Sequence, residues 1–279
     1  MNLNDIISQA LAEDLGDGDH TTLSTIPPDA TGKSRLIVKA QGILCGMKVA
    51  EKVFALVDPG LIMKSFLNDG DIISKGDIAF EVYGKISSIM QSERLVLNFM
   101  QRLSGIATVT NRLVRLTEEF PAKIMDTRKT TPLLRELEKY AVRTGGGLNH
   151  RFGLYDMIMI KDNHVDFAGG IVRAIDAVQQ YLKSNNKVLK IEIEVRNFSE
   201  LQQVLDHGSV DRIMLDNFSP PDLKNAVVMT GGRFETEASG GINENNIRDY
   251  AATGGDFISV GALTHHIQSL DMSLKALMD

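Results

Sequence analysis

From Ala122 onward, short apolar runs alternate with amphipathic stretches, and this rhythm restricts the chain to a few folds. The runs at 123–126, 157–160, 191–195, 212–215, 234–238 and 257–260 are each of strand length. Helical periods separate them at 132–142, 170–183, 199–205, 220–229 and 243–253. The last four strands recur about every 22 residues, one βα unit apiece. Such right-handed repeats either spread into an open parallel sheet or close into a barrel.

The charged residues choose between the two. Side chains alternate along a strand, so Glu192 and Glu194 share one face while Ile191, Ile193 and Val195 share the other. Glu235 and Glu237 repeat the pattern. A doubly wound sheet covers both faces with helices and would bury these carboxylates without partners, at several kcal/mol per charge. A barrel provides a polar mouth instead, and its site lies at the C-terminal strand ends. Asp126, Arg128, Lys161, Asp162, Glu194, Asp216, Glu237 and Ser259 all fall at or just after such ends.

Two glycine loops follow the last two strands. Ser239, Gly240 and Gly241 precede a helical stretch, and Ser259 and Gly261 follow the final strand. Glycines let backbone N–H groups approach an anion, and a helix N-terminus adds partial positive charge, so both loops read as phosphate cradles. Between Asp126 and His164 lies a basic cluster that includes Arg128, Lys129, Arg143, His150, Arg151 and Lys161, in a chain of net charge −6. That contrast points to a small, strongly negative ligand.

Before about residue 105 the pattern is mixed. A helix at 3–14 leads into an acidic, polar loop at 13–22. Strands are predicted at 34–40 and 78–83, with a helix at 46–57 between them. Turns and short strands fill 68–77, and a long helical stretch runs from 91 to about 119. The 279 residues, 43% hydrophobic, suffice for one large core or two domains. A single cysteine, Cys45, suits a reducing compartment, and no apolar run reaches the roughly 18 residues that span a bilayer. The first residues lack a signal-peptide pattern, and no basic stripe suggests nucleic acid. The expectation is a cytoplasmic enzyme or metabolite-binding protein.

The segments 126–132, 139–151, 161–164, 192–195, 215–217, 237–242 and 259–264 resemble quinolinate phosphoribosyltransferases. The likeness extends to 13–17 with Thr21 and Thr22, and to 92–94 followed by 104–108. The resemblance implies transfer of phosphoribose from phosphoribosyl pyrophosphate to quinolinate, with loss of CO2 and with Mg²⁺ as cofactor. It implies an incomplete α/β barrel of six to seven strands at 108–266. An N-terminal α/β open sandwich at 1–107 would take back a C-terminal helix at 267–279. It places Arg128, Lys129, His150, Arg151 and Lys161 around the dicarboxylate, with Arg94 reaching in from the second subunit of a homodimer, and leaves open dimer against hexamer. Glu194 and Asp216 would serve ribose and Mg²⁺, partly through water, while Ser239, Gly240, Gly241, Ser259 and Gly261 hold phosphate. Lys129, Lys161, Glu194 and Asp216 form the implied catalytic set, and Lys129, Lys161 and His150 are alternative assistants in decarboxylation.

Two other readings compete. One is a molybdenum-transport-associated relative, which generally lacks the element Lys161–His164; the other is a non-catalytic sensor of a phosphorylated metabolite, which would have no use for Glu194 and Asp216. Residues 17–20 read as an acidic turn, and His265 and His266 as a poor chelating pair, of which His265 can still touch the barrel rim. Glu192, Glu235 and Glu237 read as lining partners for Lys and Arg.

Overall fold

Alternating burial along Thr31–Val38, with Ser34, Leu36 and Val38 inward, marks a half-buried strand that needs a partner layer. The computed structural model describes residues 2–277. Its first elements are α1 (Leu3–Leu15), α2 (His20–Thr25), β1 (Thr31–Val38), β2 (Gly42–Ile43), α3 (Met47–Val57), β3 (Ile62–Ser65), β4 (Ile72–Ile73), β5 (Ile78–Lys85) and α4 (Ile86–Leu116). Then come β6 (Lys123–Met125), α5 (Arg135–Thr144), β7 (Ile158–Ile160), α6 (Asp162–Ala168), α7 (Ile171–Ser184), β8 (Ile191–Val195) and α8 (Phe198–His207). The chain closes with β9 (Arg212–Asp216), α9 (Pro220–Thr230), β10 (Glu235–Ser239), α10 (Ile247–Ala251), β11 (Phe257–Ser259), α11 (Ala262–His265) and β12 (Met272–Leu277). Contacts group residues 1–111, 131–146 and 266–279 as one unit and 112–130 with 147–265 as the other. The stretch 131–146, expected within the barrel domain, is thus grouped with the N-terminal residues.

The first unit carries an antiparallel sheet ordered β12-β1-β5-β3. Phe54 of α3 meets Phe80 of β5 edge-to-face at 5.7 Å. On the opposite face, Glu81 binds Lys33 at 2.6 Å and Arg35 at 2.8 Å. Two sequence expectations need correction here. The C-terminal segment is a strand, not a helix: Met272 and Leu274 alternate inward and the strand pairs with β1 from Leu277 to Met272. Its Leu, Lys and Ala favour helix intrinsically, but the free edge of β1 satisfies the backbone as a strand. Residues 278 and 279 of the expected helix lie outside the described residues. The supposed loop after α1 contains α2, which Asp19 caps by accepting the Thr22 N–H at 3.0 Å.

The second unit holds a parallel sheet ordered β7-β8-β9-β10-β11-β6. All six strands were legible within one residue at either end. Chain neighbours β6 and β7 occupy the two edges, so the barrel is incomplete. A single parallel bridge from Met125 to Leu148 supplies a rudimentary further strand beside β6. Ile191, Ile193, Val195, Ile213, Leu215 and Ala238 form the buried apolar row beneath the helices. Their alternates face a cavity of about 900 Å³.

Candidate active site

That cavity takes every second residue from successive strands: Met159 from β7, Glu194 from β8, Met214 and Asp216 from β9, Glu237 and Ser239 from β10, and Ser259 from β11. Loops after the strands add Thr127, Arg128, Lys129, His150, Arg151, Lys161, Gly240, Gly241 and Gly261. Every site residue read from the sequence therefore lines this one space except Arg94. Arg94 is exposed on α4 and does not line it.

The cationic side is locally built. Thr127 Oγ1 accepts the Lys129 N–H at 3.1 Å, turning the chain after β6. Buried Asp126 accepts the His150 N–H at 2.8 Å and the Asn149 amide at 2.6 Å, which ties the 149–151 segment to the end of β6. The Arg151 guanidinium is steered by the Met157 carbonyl at 3.1 Å. Burial, with the neighbouring Arg128 guanidinium, lowers the Arg151 pKa below its ordinary value. Two adjacent guanidiniums repel in a half-buried cleft, and a bound dianion relieves that repulsion. Lys161 stands just before α6, where its N–H donates to His164 Nδ1 at 2.9 Å.

The anionic side faces it. Lys161 Nζ lies 3.4 Å from Glu194 Oε2. Burial raises the Glu194 carboxyl above its ordinary value, and the Asp216 carboxylate adds to this against the opposing Lys161 charge. Asn217, missed from sequence, takes φ +57° and donates its amide to Asp216 Oδ2 at 2.6 Å. A non-glycine residue at positive φ is uncommon, and Asn is among the few that accept it. The only sequence signal was its place directly after Asp216. His265, a poor chelator with His266 but expected at the barrel rim, lines the cavity near Gly261.

One part of the phosphate argument changes. The helix after Gly241 begins only at Ile247. An asparagine turn intervenes, with the Asn243 N–H donating to Asn246 Oδ1 at 2.8 Å and the Asn245 N–H to Asn243 Oδ1 at 3.0 Å. The first loop therefore owes any anion affinity to its own backbone, at φ +100° for Gly240 and +62° for Gly241, rather than to a helix terminus.

His150 sits deepest. Its Nε2 lies 2.8 Å from Glu192 Oε2 and 3.3 Å from Glu237 Oε2, and its Nδ1 accepts the Arg151 N–H at 2.7 Å. Burial opposes the imidazolium, but hydrogen bonds to Glu192 and Glu237 outweigh it and push the ring up to about 9. The Nδ1 contact pulls the other way: a ring with one proton carries it on Nε2, and a second proton requires the Arg151 N–H to give way. The Nδ1 contact decides the form present in this geometry: the ring carries a single proton on Nε2, held between the two carboxylates. Glu237 also binds Arg212 at 3.1 Å, and Arg212 reaches Glu235 at 3.0 Å. These three glutamates are thus lining partners of His and Arg.

Residues 106–275 match the family model for the C-terminal domain of quinolinate phosphoribosyl transferase, and residues 19–104 match the model for its N-terminal domain. The chain is 46% identical to quinolinate phosphoribosyltransferase [decarboxylating] 1b of Nicotiana tabacum, covering 98% of this chain and 82% of that protein. It is 40% identical to a probable nicotinate-nucleotide pyrophosphorylase [carboxylating] of Bacillus subtilis, covering 98% and 93%. A solved nicotinate-nucleotide pyrophosphorylase from Francisella tularensis superimposes with a TM-score of 0.92 at 41% identity, covering 99% of this chain and 96% of that one. The barrel, its cationic cleft and these matches agree: the chain belongs to the quinolinate phosphoribosyltransferase family.

Proposed function

We propose that the cavity joins quinolinate to phosphoribose with the two substrates split between its walls. The activity is that of a carboxylating nicotinate-nucleotide pyrophosphorylase, which consumes quinolinate and phosphoribosyl pyrophosphate and yields nicotinate mononucleotide, pyrophosphate and CO2. The observation that carries the assignment of walls is the origin of the charges lining one cavity: Arg128 and Arg151 come from loops after edge strand β6, Glu194 and Asp216 from β8 and β9, and Lys161 after β7 meets Glu194 at 3.4 Å. Planar guanidiniums suit a pyridine dicarboxylate, because each can bind a carboxylate in bidentate fashion.

In this reading Glu194 and Asp216 serve the ribose. Departure of pyrophosphate leaves positive charge at the anomeric carbon, and fixed carboxylates stabilise it. Ser239, Gly240, Gly241, Ser259 and Gly261 hold the 5′-phosphate. Attack by the ring nitrogen as pyrophosphate leaves makes a pyridinium; loss of CO2 then leaves its electron pair on the ring carbon, stabilised by the adjacent N⁺, and a proton from solvent takes the vacated position. Lys161, between the acid and Glu194, orients the carboxylate that departs, and Lys129 offers a second ammonium on the phosphate side.

The donor set also fits Mg²⁺. Glu194 and Asp216 are hard oxygen ligands whose mutual repulsion a cation would relieve, and magnesium takes few protein ligands besides water and phosphate oxygens. When bound there it would neutralise charge developing on the departing pyrophosphate. Exposed Arg94 completes the acid pocket of a second subunit in a homodimer, and the lone buried Cys45 suits the cytoplasm. No helix among the described residues is long and apolar enough to cross a membrane.

Turnover of quinolinate against nicotinate tests the reading of the acid wall. Equal rates on both, or none on quinolinate, would sink it. Mixing Arg94→Ala subunits with Lys161→Ala subunits tests the shared site, because regained activity requires one intact composite pocket.

A further inference from the structure

His150 and Glu237, which line the cavity, join Glu192 in a buried cluster to which the reaction assigns no step of its own. His150 is 8% exposed, while Glu192 and Glu237 have no exposure. Burying two carboxylates side by side is unfavourable by several kcal/mol unless something compensates. Arg212 compensates Glu237 at 3.1 Å, with its guanidinium stacked 4.1 Å from the Phe257 ring centroid. Glu237 also hydrogen-bonds Ser259 and neighbouring Glu192, and the cationic-side partner that the two glutamates share is one atom, Nε2 of His150.

The other polar atoms of His150 are also engaged. Its main-chain N–H donates to Asp126, and its Nδ1 accepts the Arg151 N–H. A rotation of the ring would therefore release the backbone of Arg151, whose guanidinium points into the cavity. We infer that Glu192 and Glu237 are positioning residues for the dicarboxylate: they clamp the His150 ring through Nε2 and thereby fix the 150–151 backbone that presents Arg151. The inference rests on the assignment of the cationic wall to quinolinate. The competing occupant is a metal ion, since the donor atoms of the three side chains lie within 4.8 Å of one another. Arg212 at the Glu237 carboxylate disfavours a second cation there.

The test uses full-length enzyme carrying Glu192→Ala, Glu192→Gln, Glu237→Gln and His150→Ala, singly and with each glutamate change combined with His150→Ala. Wild type is assayed first: absence of quinolinate turnover there defeats the functional reading, whereas the clamp is judged only in an active background. Glu192→Ala is expected to raise KM for quinolinate by about tenfold, the value of a lost charged hydrogen bond, with KM for phosphoribosyl pyrophosphate within about twofold. Glu192→Gln, which can still accept from Nε2, should recover part of that loss. In the His150→Ala background the glutamate changes should add nothing, because their effect travels through the ring. The ¹⁵N imidazole signal of His150 should shift in Glu192→Gln and Glu237→Gln, which reads the clamp even if Glu192→Ala fails to fold. An unchanged signal, an equal rise in both KM values, full additivity with His150→Ala, or a stoichiometric metal ion that Glu192→Gln loses would each overturn the inference.

Discussion

Gly240→Ala and Gly241→Ala differ by one methyl group placed in two different surroundings, which separates steric blockage from backbone strain. A Cβ on Gly240 would lie 2.7 Å from Asn217 Cγ and 2.9 Å from the Asn217 backbone nitrogen, and it would have to keep φ +100°. The backbone contact cannot relax by a rotamer change. The Asn217 N–H is bonded to Ser239 O at 2.8 Å, so moving it pulls on the end of β10 and on Asp216. Gly241, at φ +62°, has open space around its Cβ position. Its substitution should cost only left-handed strain, about 1 kcal/mol, whereas Gly240→Ala adds overpacking and should cost about 3 kcal/mol. At about 2–4 °C per kcal/mol the midpoints should fall by about 3 °C and about 9 °C. Steady-state kinetics then decide function. Gly240→Ala should raise KM for phosphoribosyl pyrophosphate at least about tenfold, since one misplaced phosphate contact is worth that much, and leave KM for quinolinate nearly unchanged. Equal effects of the two substitutions on phosphoribosyl pyrophosphate would refute the steric argument, and no effect of either would remove the loop from the phosphate site.

Three further outcomes follow from buried groups. Arg102 holds fully buried Glu138 at 2.6 Å, and Glu138 also accepts the Thr131 N–H at 3.1 Å, so Arg102→Ala should destabilise by about 3 kcal/mol in thermal or urea unfolding. Burial, reinforced by Asp69, pushes the Cys45 thiol up to about 12; a thiol reagent at pH 8 should leave native protein unmodified and react fully in denaturant. The Glu192 carboxyl, desolvated and beside Glu237, is raised to about 7, so the folded protein holds its proton more tightly than the unfolded chain and this group's contribution to stability falls as pH rises from the unfolded value near 4.5 through 7. Glu192→Gln should flatten that fall in the unfolding midpoint, and a variant midpoint that falls more steeply than wild type over the same range would contradict the assignment.

How legible each element was depends on how locally it is determined. The strands of the parallel sheet announced themselves because their outward rows are almost wholly apolar: Ile191, Ile193 and Val195 on β8, Ile213 and Leu215 on β9. The charged groups that line the cavity were legible for the complementary reason, since a charge in the alternate row of a buried strand demands a site. The six-residue α2 carried too little periodicity to register, although Asp19 supplied a cap. In β12, Met272 and Leu274 already alternated, but the pairing with β1 that favours a strand comes from more than 200 residues away. The partnership of His150 with Glu192 and Glu237 joins residues 42 and 87 positions apart, and nothing local in either stretch encodes it.

Register gives the same charges an order in depth. Glu192, Arg212 and Glu235 stand level across β8, β9 and β10; Glu194, Met214 and Glu237 stand at the next level, and Asp216 with Ser239 at the one above. At the lowest level the protein supplies its own counter-ions, Arg212 meeting Glu235 and reaching up to Glu237. Higher up, Glu194 has the longer contact to Lys161, whose side chain is 45% exposed, while Arg128 and Arg151 repel each other side by side. Internal compensation thus weakens toward the strand ends, and binding of oppositely charged substrates supplies what the protein leaves out. A single alternating pattern serves two ends: deep in the barrel it secures the sheet with fixed ion pairs, and at the mouth it leaves charges whose most favourable state includes the substrates.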